Sequence, residues 1–97
     1  MATYVTLYRY TDEGIKHIRE AGQIARGWQQ AAERAGIKVL ALYWLQGGHD
    51  ALTIIESDDD EAVSGLLLSI GAQGYLRTET LRGMSLEAVE RAIQRVR

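Results

Sequence analysis

The sequence contains no cysteine and no proline, has only two histidines, and carries no strong excess of either charge. The absence of cysteine excludes a disulfide scaffold, a thiolate zinc site, a thiol nucleophile and a metal chaperone built on a cysteine pair. With a net charge of −2, the chain has no excess of basic residues to form the basic surface that nucleic-acid binding needs. The longest apolar runs, such as 39–45 and 66–70, fall far short of the roughly 20 residues that cross a bilayer. We therefore expect neither a nucleic-acid partner nor a membrane partner.

The length of 97 residues predicts a single domain spanning 1–97. A chain of this size buries roughly 60–65% of the surface that it exposes when unfolded, so pairing with a second copy would add stability. The N-terminal segment lacks the basic stretch and following apolar stretch of an export signal. Because a chain without cysteine is also compatible with a reducing compartment, we expect a cytoplasmic protein.

Four segments have the β-branched and aromatic composition that is typical of strands. They are Thr3–Tyr10, Lys38–Leu45, Ala51–Glu56 and Tyr75–Leu81. Two adjacent glycines between the second and third segments predict a hairpin turn, since glycine reaches positive φ without steric cost. In the first strand one face carries Thr3, Val5, Leu7 and Arg9, and the other carries Tyr4, Thr6, Tyr8 and Tyr10. Two such faces indicate a sheet that is packed on both sides.

Apolar residues recur at helical spacing in three further segments. The first helix covers 15–35, with Thr11 or Asp12 as its N-cap, Gly36 as its stop and a bend expected near 20–23. The second begins after Ser57 as N-cap and stops at Gly71. The third covers 85–97 and carries a narrow apolar stripe that suits packing on a surface or a partner helix. Its members are Leu86, Val89, Ile93 and Val96.

These elements follow in the order β-α-β-β-α-β plus a C-terminal helix, which predicts an α+β protein with a ferredoxin-like antiparallel sheet. Three stretches of sequence also resemble the GYD domain family of dimeric α+β barrels. YVTLYRYTDEGIKHI resembles the first strand of the family and its T-x-x-G-x-x turn into the first helix. VLALYWLQGGHDALTIIESDDDEA resembles the YW-x-x-G-x-YD hairpin and the acidic helix start. GYLRTETLRGMS resembles the last strand, and its RTETL run is the most specific of these matches.

The chain departs from the family pattern at its two histidines. His49 replaces the tyrosine of the GxYD motif, and His17 occupies the position on the first helix where the family has an Asn-like residue. The resemblance implies the fold and a homodimer or higher homo-oligomer, in which two sheets face each other and enclose a barrel. It implies little chemistry, because the function of the family is poorly characterised.

His49, Arg77 and Tyr8 are the candidate catalytic residues. An imidazole near a carboxylate suits a general base, and Arg77 or Tyr8 would position an anionic or phenolic substrate. Asp50 follows His49 directly, but neighbouring residues on a strand point to opposite faces, and Asp beside two glycines also fits ordinary turn chemistry. Arg77 and Glu79 share one face of the last strand. They could form the polar floor of a pocket, or they could be the charged residues that protect an edge strand from aggregation.

Further ligand-binding candidates are side chains that combine ring area or charge with a hydrogen-bonding tip. They are Tyr43, Trp44, Asp50, Glu79, His17 and Trp28. The aromatic members also suit ordinary packing or a dimer interface. A histidine on the first helix holds haem in some dimeric-barrel enzymes, so the resemblance makes haem a candidate cofactor at His17, with a solvated boundary histidine as the alternative. Two histidines without a carboxylate cluster predict no metal site.

Three functions stay open at this point. The first is a homodimeric domain that binds a small molecule in a pocket between the sheet and the first helix. The second is a dimeric-barrel enzyme, either a cofactor-independent oxygenase or isomerase or a haem-dependent protein. The third is a structural or regulatory assembly module that uses the aromatic residues and the last helix. An RNA-recognition module shares the strand order, but the acidic charge and the missing basic-aromatic strand motifs argue against it.

Overall fold

A computed structural model describes all residues from 1 to 97. Its elements are β1 (Ala2–Tyr10), α1 (Asp12–Ile15), a short 3-10 turn (Ile18–Glu20), α2 (Ala21–Arg34), β2 (Lys38–Trp44), β3 (Ala51–Ser57), α3 (Asp60–Ala72), β4 (Leu76–Gly83) and α4 (Leu86–Ile93). The strands form one antiparallel sheet in the order β2-β3-β1-β4. This order confirms the ferredoxin-like α+β prediction, because the outer strands β2 and β4 flank the central pair.

The first helical segment is divided more sharply than its glycines predict. Thr11 is the N-cap, as expected, and its hydroxyl accepts a hydrogen bond of 2.9 Å from the backbone N–H of Gly14. The chain leaves the helix after Ile15, passes through the 3-10 turn and re-enters a helix at Ala21. The predicted bend near 20–23 is therefore a break that begins several residues earlier, since α1 is a separate capped turn.

The boundaries of α3 differ from the prediction at both ends. Asp59, and not Ser57, is the N-cap, and its carboxylate accepts from a backbone N–H of the first turn. Ser57 stays in β3, where its hydroxyl accepts from the backbone N–H of Asp59 at 3.0 Å. The helix also continues past Gly71, and the positive φ of 82° falls at Gly74. A glycine ends a helix only where the backbone turns left-handed, which Gly71 does not do.

The helices α1, α2 and α3 cover one face of the sheet, the helix face, and a small core lies between the two layers. The helix face of β1 is the tyrosine-rich one, and the core cluster consists of Ala32, Ile37, Ile55 and Val63. The opposite face, called the open face below, has no covering element within the chain. Its residues are Thr3, Val5, Leu7, Arg9, Lys38, Ala41, Tyr43, Leu52, Ile54, Glu56, Arg77, Glu79 and Leu81. Packing on both sides, as the strand pattern predicts, would therefore need a second chain.

The C-terminal helix α4 starts at Leu86 after its cap Ser85, whose hydroxyl accepts from the backbone N–H of Ala88 at 3.0 Å. It ends at Ile93, short of the predicted 97. None of its residues is buried, and the residues of its apolar stripe are between 38% and 75% exposed. This stripe therefore has no partner within the chain. None of the four helices combines the length and the apolar character that crossing a bilayer requires.

Candidate functional site

An aromatic-lined cavity lies between the helix face of the sheet and the helices α1, α2 and α3. It has a volume of about 110 Å³ and is lined by 21 residues, 17 of them hydrophobic. Six aromatic rings contribute to its walls: Tyr8, Tyr10, His17, Trp28, Trp44 and Tyr75. No Asp, Glu, Lys or Arg lines it. The cavity is thus suited to a small, flat and uncharged molecule.

Small residues on the facing elements leave this space unfilled. Ala21 and Ala25 of α2 line the cavity on the helix side, and Ala51 and Thr53 of β3 line it on the sheet side. Alternation along β3 turns both of these residues toward the helices. Because neither layer sends a long side chain into the gap at these positions, the rings around it form walls and not a packed core.

Two hydrogen-bonded pairs of side chains lie in the cavity wall, beside the polar side chains of His17 and Gln29. The hydroxyls of Tyr8 and Thr53 lie 3.0 Å apart, and the indole N–H of Trp44 donates to the Tyr10 hydroxyl at 3.2 Å. Burial raises the pKa of Tyr8 above its ordinary value of 10.0, and the hydrogen bond to Thr53 opposes this shift only in part. The Tyr8 phenol is therefore neutral at physiological pH and offers a hydroxyl, not a phenolate, to a bound molecule.

His17 lines the cavity but does not fit the role of a haem ligand. Its ring stacks on Tyr75 with centroids 4.6 Å apart, and its Nε2 lies 3.8 Å from the Glu13 carboxylate. A porphyrin also needs far more room than 110 Å³, since pockets for ligands of even drug size measure roughly 300–1,000 Å³. The stacked ring is a wall of the cavity.

The turn from β1 into α1 positions the stacked rings of His17 and Tyr75. It includes Thr11 and Gly14, which are not among the predicted site residues. The Thr11 hydroxyl donates to the Gly74 carbonyl at 2.7 Å, and the Thr11 N–H donates to the Tyr75 carbonyl at 3.0 Å. Gly14 is buried directly against the backbone of Tyr75. The T-x-x-G motif in the sequence is the signal for this junction, because its threonine supplies the cap and its glycine permits the close approach.

The candidate catalytic residues do not converge on one site. His49 and Arg77 line a groove on the open face, together with Leu7, Arg9, Thr78 and Glu79. The His49 Nε2 lies 3.6 Å from the Glu79 carboxylate, and Arg77 donates to the carbonyls of Gly71 and Leu76 at 3.4 and 3.2 Å. Tyr8 points to the helix face, on the other side of the sheet.

The predicted ligand-binding residues also lie on both faces of the sheet. His17, Trp28 and Trp44 line the cavity, whereas Tyr43 is 63% exposed on the open face. Asp50 holds the hairpin to β1, since its carboxylate accepts from the Tyr10 N–H at 2.8 Å and its own N–H donates to the Tyr8 carbonyl at 2.8 Å. Nowhere in the chain do three His, Asp or Glu side chains gather as metal ligands.

Comparison with solved structures identifies proteins that share the fold. TTHA0845 from Thermus thermophilus matches with a TM-score of 0.55 and 21% identity, covering 88% of this chain and 95% of that one. FFRP-DM1 matches with a TM-score of 0.61 and 14% identity, covering 87% and 100%. MtbAldR gives a TM-score of 0.67 at 14% identity over 87% of this chain, which spans only 52% of its length.

Sequence comparison adds a curated relative and a family. The chain is 27% identical over 85 residues to the glutamine synthetase and cystathionine beta-lyase binding protein of Thermus thermophilus. This alignment covers 87% of the chain and 90% of the relative. The profile of the GYD domain matches residues 4–93, from the first strand to the end of α4. As its strand and hairpin motifs predict, this protein belongs to the GYD domain family.

Proposed function

We propose that this protein is a homodimeric binding domain that takes up a small, neutral aromatic molecule between its sheet and its first helical segments. The observation that carries the proposal is the aromatic-lined cavity of about 110 Å³. It lies between the sheet and the helices α1, α2 and α3. The enzymatic alternative has less support, because Tyr8 and the pair His49 and Arg77 lie on opposite faces of the sheet.

The size and chemistry of the cavity define the ligand class. An apolar protein cavity of roughly 150 Å³ accepts benzene, so the enclosed space of 110 Å³ holds about one ring, and a second fused ring would extend into the solvent-side opening. Trp44 is 46% exposed and its bond to Tyr10 marks that solvent side. The neutral hydroxyls of Tyr8 and Thr53 would bind one polar group of the ligand, and the absence of a cationic wall residue disfavours an anion.

The open face supports the homodimeric part of the proposal. At its centre, Val5 of β1 and Ile54 of β3 are directly paired, and neither is fully buried. Leu7, Leu52 and Leu81 extend this apolar area over the neighbouring strands. A second copy that places the same face against it would bury both areas with one two-fold contact. Such a dimer would also add the buried area that a chain of 97 residues lacks.

Indole is a suitable probe for the cavity because it has two fused rings and one polar N–H. We expect saturable binding of indole to the purified protein, followed by the chemical shifts of the methyl groups of Ile24 and Ile55, which line the cavity. The Ala25→Leu variant fills the space next to α2 and should bind indole about tenfold more weakly or worse, since a filled site excludes the ligand.

Ala92→Leu on the exposed helix α4 is the matched control, because it adds the same three carbons outside the cavity. It should bind indole like the unaltered protein. Equal binding by the Ala25 and Ala92 variants, or no saturable binding of indole by the unaltered protein, would contradict the proposed cavity function. Circular dichroism spectra of both variants establish that each one is folded.

A second candidate function is the binding of another protein, and the name of the Thermus relative favours it. The exposed apolar stripe of α4 is the surface that would serve, because it has no partner within the chain. Under this proposal the protein co-elutes with glutamine synthetase of its own source organism in gel filtration. Ile93→Lys should abolish the co-elution, since a lysine in an apolar contact lacks a partner for its charge. Gln94→Lys, with the same added charge beside the stripe, should retain it, and equal behaviour of the two variants would refute this role of α4.

A further inference from the structure

Two arginines face each other across neighbouring strands of the open face. The antiparallel register of β1 and β4 pairs Arg9 directly with Arg77. Directly opposite residues have their Cβ atoms about 4.5–5.5 Å apart, and like charges at this position destabilise a sheet. Neither guanidinium has a carboxylate within 4.0 Å. The register thus holds two arginines side by side without a carboxylate partner, and the Arg77 guanidinium has only the carbonyls of Gly71 and Leu76 as acceptors.

The surroundings of this pair form the groove described above, with a volume of about 170 Å³. Glu79 is the nearest acidic residue on the same face, but its carboxylate approaches His49 at 3.6 Å and neither arginine. Arg77 uses one nitrogen, Nη1, for both of its carbonyl contacts. The rest of its guanidinium and that of Arg9 are thereby left for an external acceptor.

We propose that Arg9 and Arg77 form a binding site for a small oxyanion, a carboxylate or phosphate group of a free molecule. A guanidinium binds such groups through two parallel N–H···O bonds, and both arginines line the same groove on adjacent strands. The bound charge would also remove the repulsion between the two arginines. His49 reaches the groove from the hairpin and adds an imidazole at its rim. The site lies on the opposite face from the cavity and does not depend on ligand binding there. It shares the open face with the proposed dimer contact, but lies at the end of that face next to the hairpin, away from Val5 and Ile54.

Thermal unfolding at constant ionic strength tests the proposal, with sodium chloride as the reference salt and inorganic phosphate and succinate as probes. At least one of the two probes should raise the Tm of the unaltered protein above its value in chloride. The Arg9→Gln and Arg77→Gln variants should bind that probe about tenfold more weakly or worse, because each loses one charge-assisted contact. In chloride alone, Arg9→Gln should unfold at the same temperature as the unaltered protein or higher, since it removes the repulsion.

Arg91→Gln on α4 is the matched control, and it should respond to both probes like the unaltered protein. Ala25→Leu should also keep its anion response, which separates this site from the cavity. An equal Tm in chloride, phosphate and succinate would overturn the proposal, as would an equal response of the Arg9 and Arg91 variants. A Tm of Arg9→Gln in chloride clearly below that of Arg91→Gln would equally overturn it, because Arg9 would then stabilise the fold without any anion.

Discussion

The Gly14→Ala variant is expected to lose about 3 kcal/mol of unfolding free energy or more, because the added methyl group has no space. A Cβ at Gly14 would overlap the carbonyl oxygen of Tyr75 and lie 2.7 Å from its carbonyl carbon. These are backbone atoms, so no side-chain rotation relieves the overlap. The segment would have to move away from β4 and break the hydrogen bonds from Thr11 to Gly74 and Tyr75. Thermal unfolding should show a decrease in Tm of roughly 12–24 °C for a domain of this size.

Gly27→Ala provides the matched control for the same chemical change. Gly27 lies inside α2, and no atom lies within 4 Å of an added Cβ. This variant should gain about 0.5–1 kcal/mol, because alanine restricts the unfolded chain and favours the helix. Loss of stability in both variants, or in neither, would show that the contact between Gly14 and Tyr75 does not have the importance given to it here.

Ile54→Asp is expected to convert the proposed homodimer into a monomer. Ile54 lies at the centre of the open face, directly opposite Val5 on the neighbouring strand. A carboxylate there would be buried against the partner without a counter-ion, which costs several kcal/mol. The dissociation constant should therefore rise by roughly a hundredfold or more. Analytical ultracentrifugation over a range of protein concentrations measures this shift directly.

Leu68→Asp is the control for added charge and lost apolar surface. Leu68 is 73% exposed on α3, away from the open face, and its replacement should leave the association unchanged. Dissociation by Leu68→Asp with retention of the dimer by Ile54→Asp would place the contact on the helices instead. A protein that sediments as a monomer before any substitution would refute the homodimer altogether.

Much of the fold follows from local patterns, because the periodicity of a strand or a helix depends only on the spacing of apolar residues within a short segment. Alternation along 3–10 separates the tyrosine face from the Val5 and Leu7 face before any tertiary information is used. The caps Thr11 and Ser85 are also local, since each accepts from a backbone N–H three residues on. The prediction that Ser57 is the N-cap of α3 is wrong. Because β3 continues through Ser57, the helix begins later and Asp59 is its N-cap.

The candidate site is less predictable, because it depends on which strands become neighbours. The sequence predicts His17, Trp28, Trp44 and Tyr8 as separate candidates, and these four residues line one cavity. No local sequence pattern indicates that Ala25 leaves space opposite Thr53, since the two residues come together only when α2 packs on β3. Arg9 carries no signal of its own in the sequence, and its pairing with Arg77 arises from the register of β1 and β4.

Local patterns in the sequence are enough to establish the order of elements, the two faces of the first strand and the family to which the chain belongs. These properties depend on side-chain periodicity and on motifs within short segments, so they need no knowledge of distant contacts. The positions of Tyr8 and Arg77 on opposite sides of one sheet, and the meeting of small residues that forms the cavity, follow from the packing of the whole chain. The reason is physical: strand register and layer packing join residues about 70 positions apart, and that geometry is set by the whole chain.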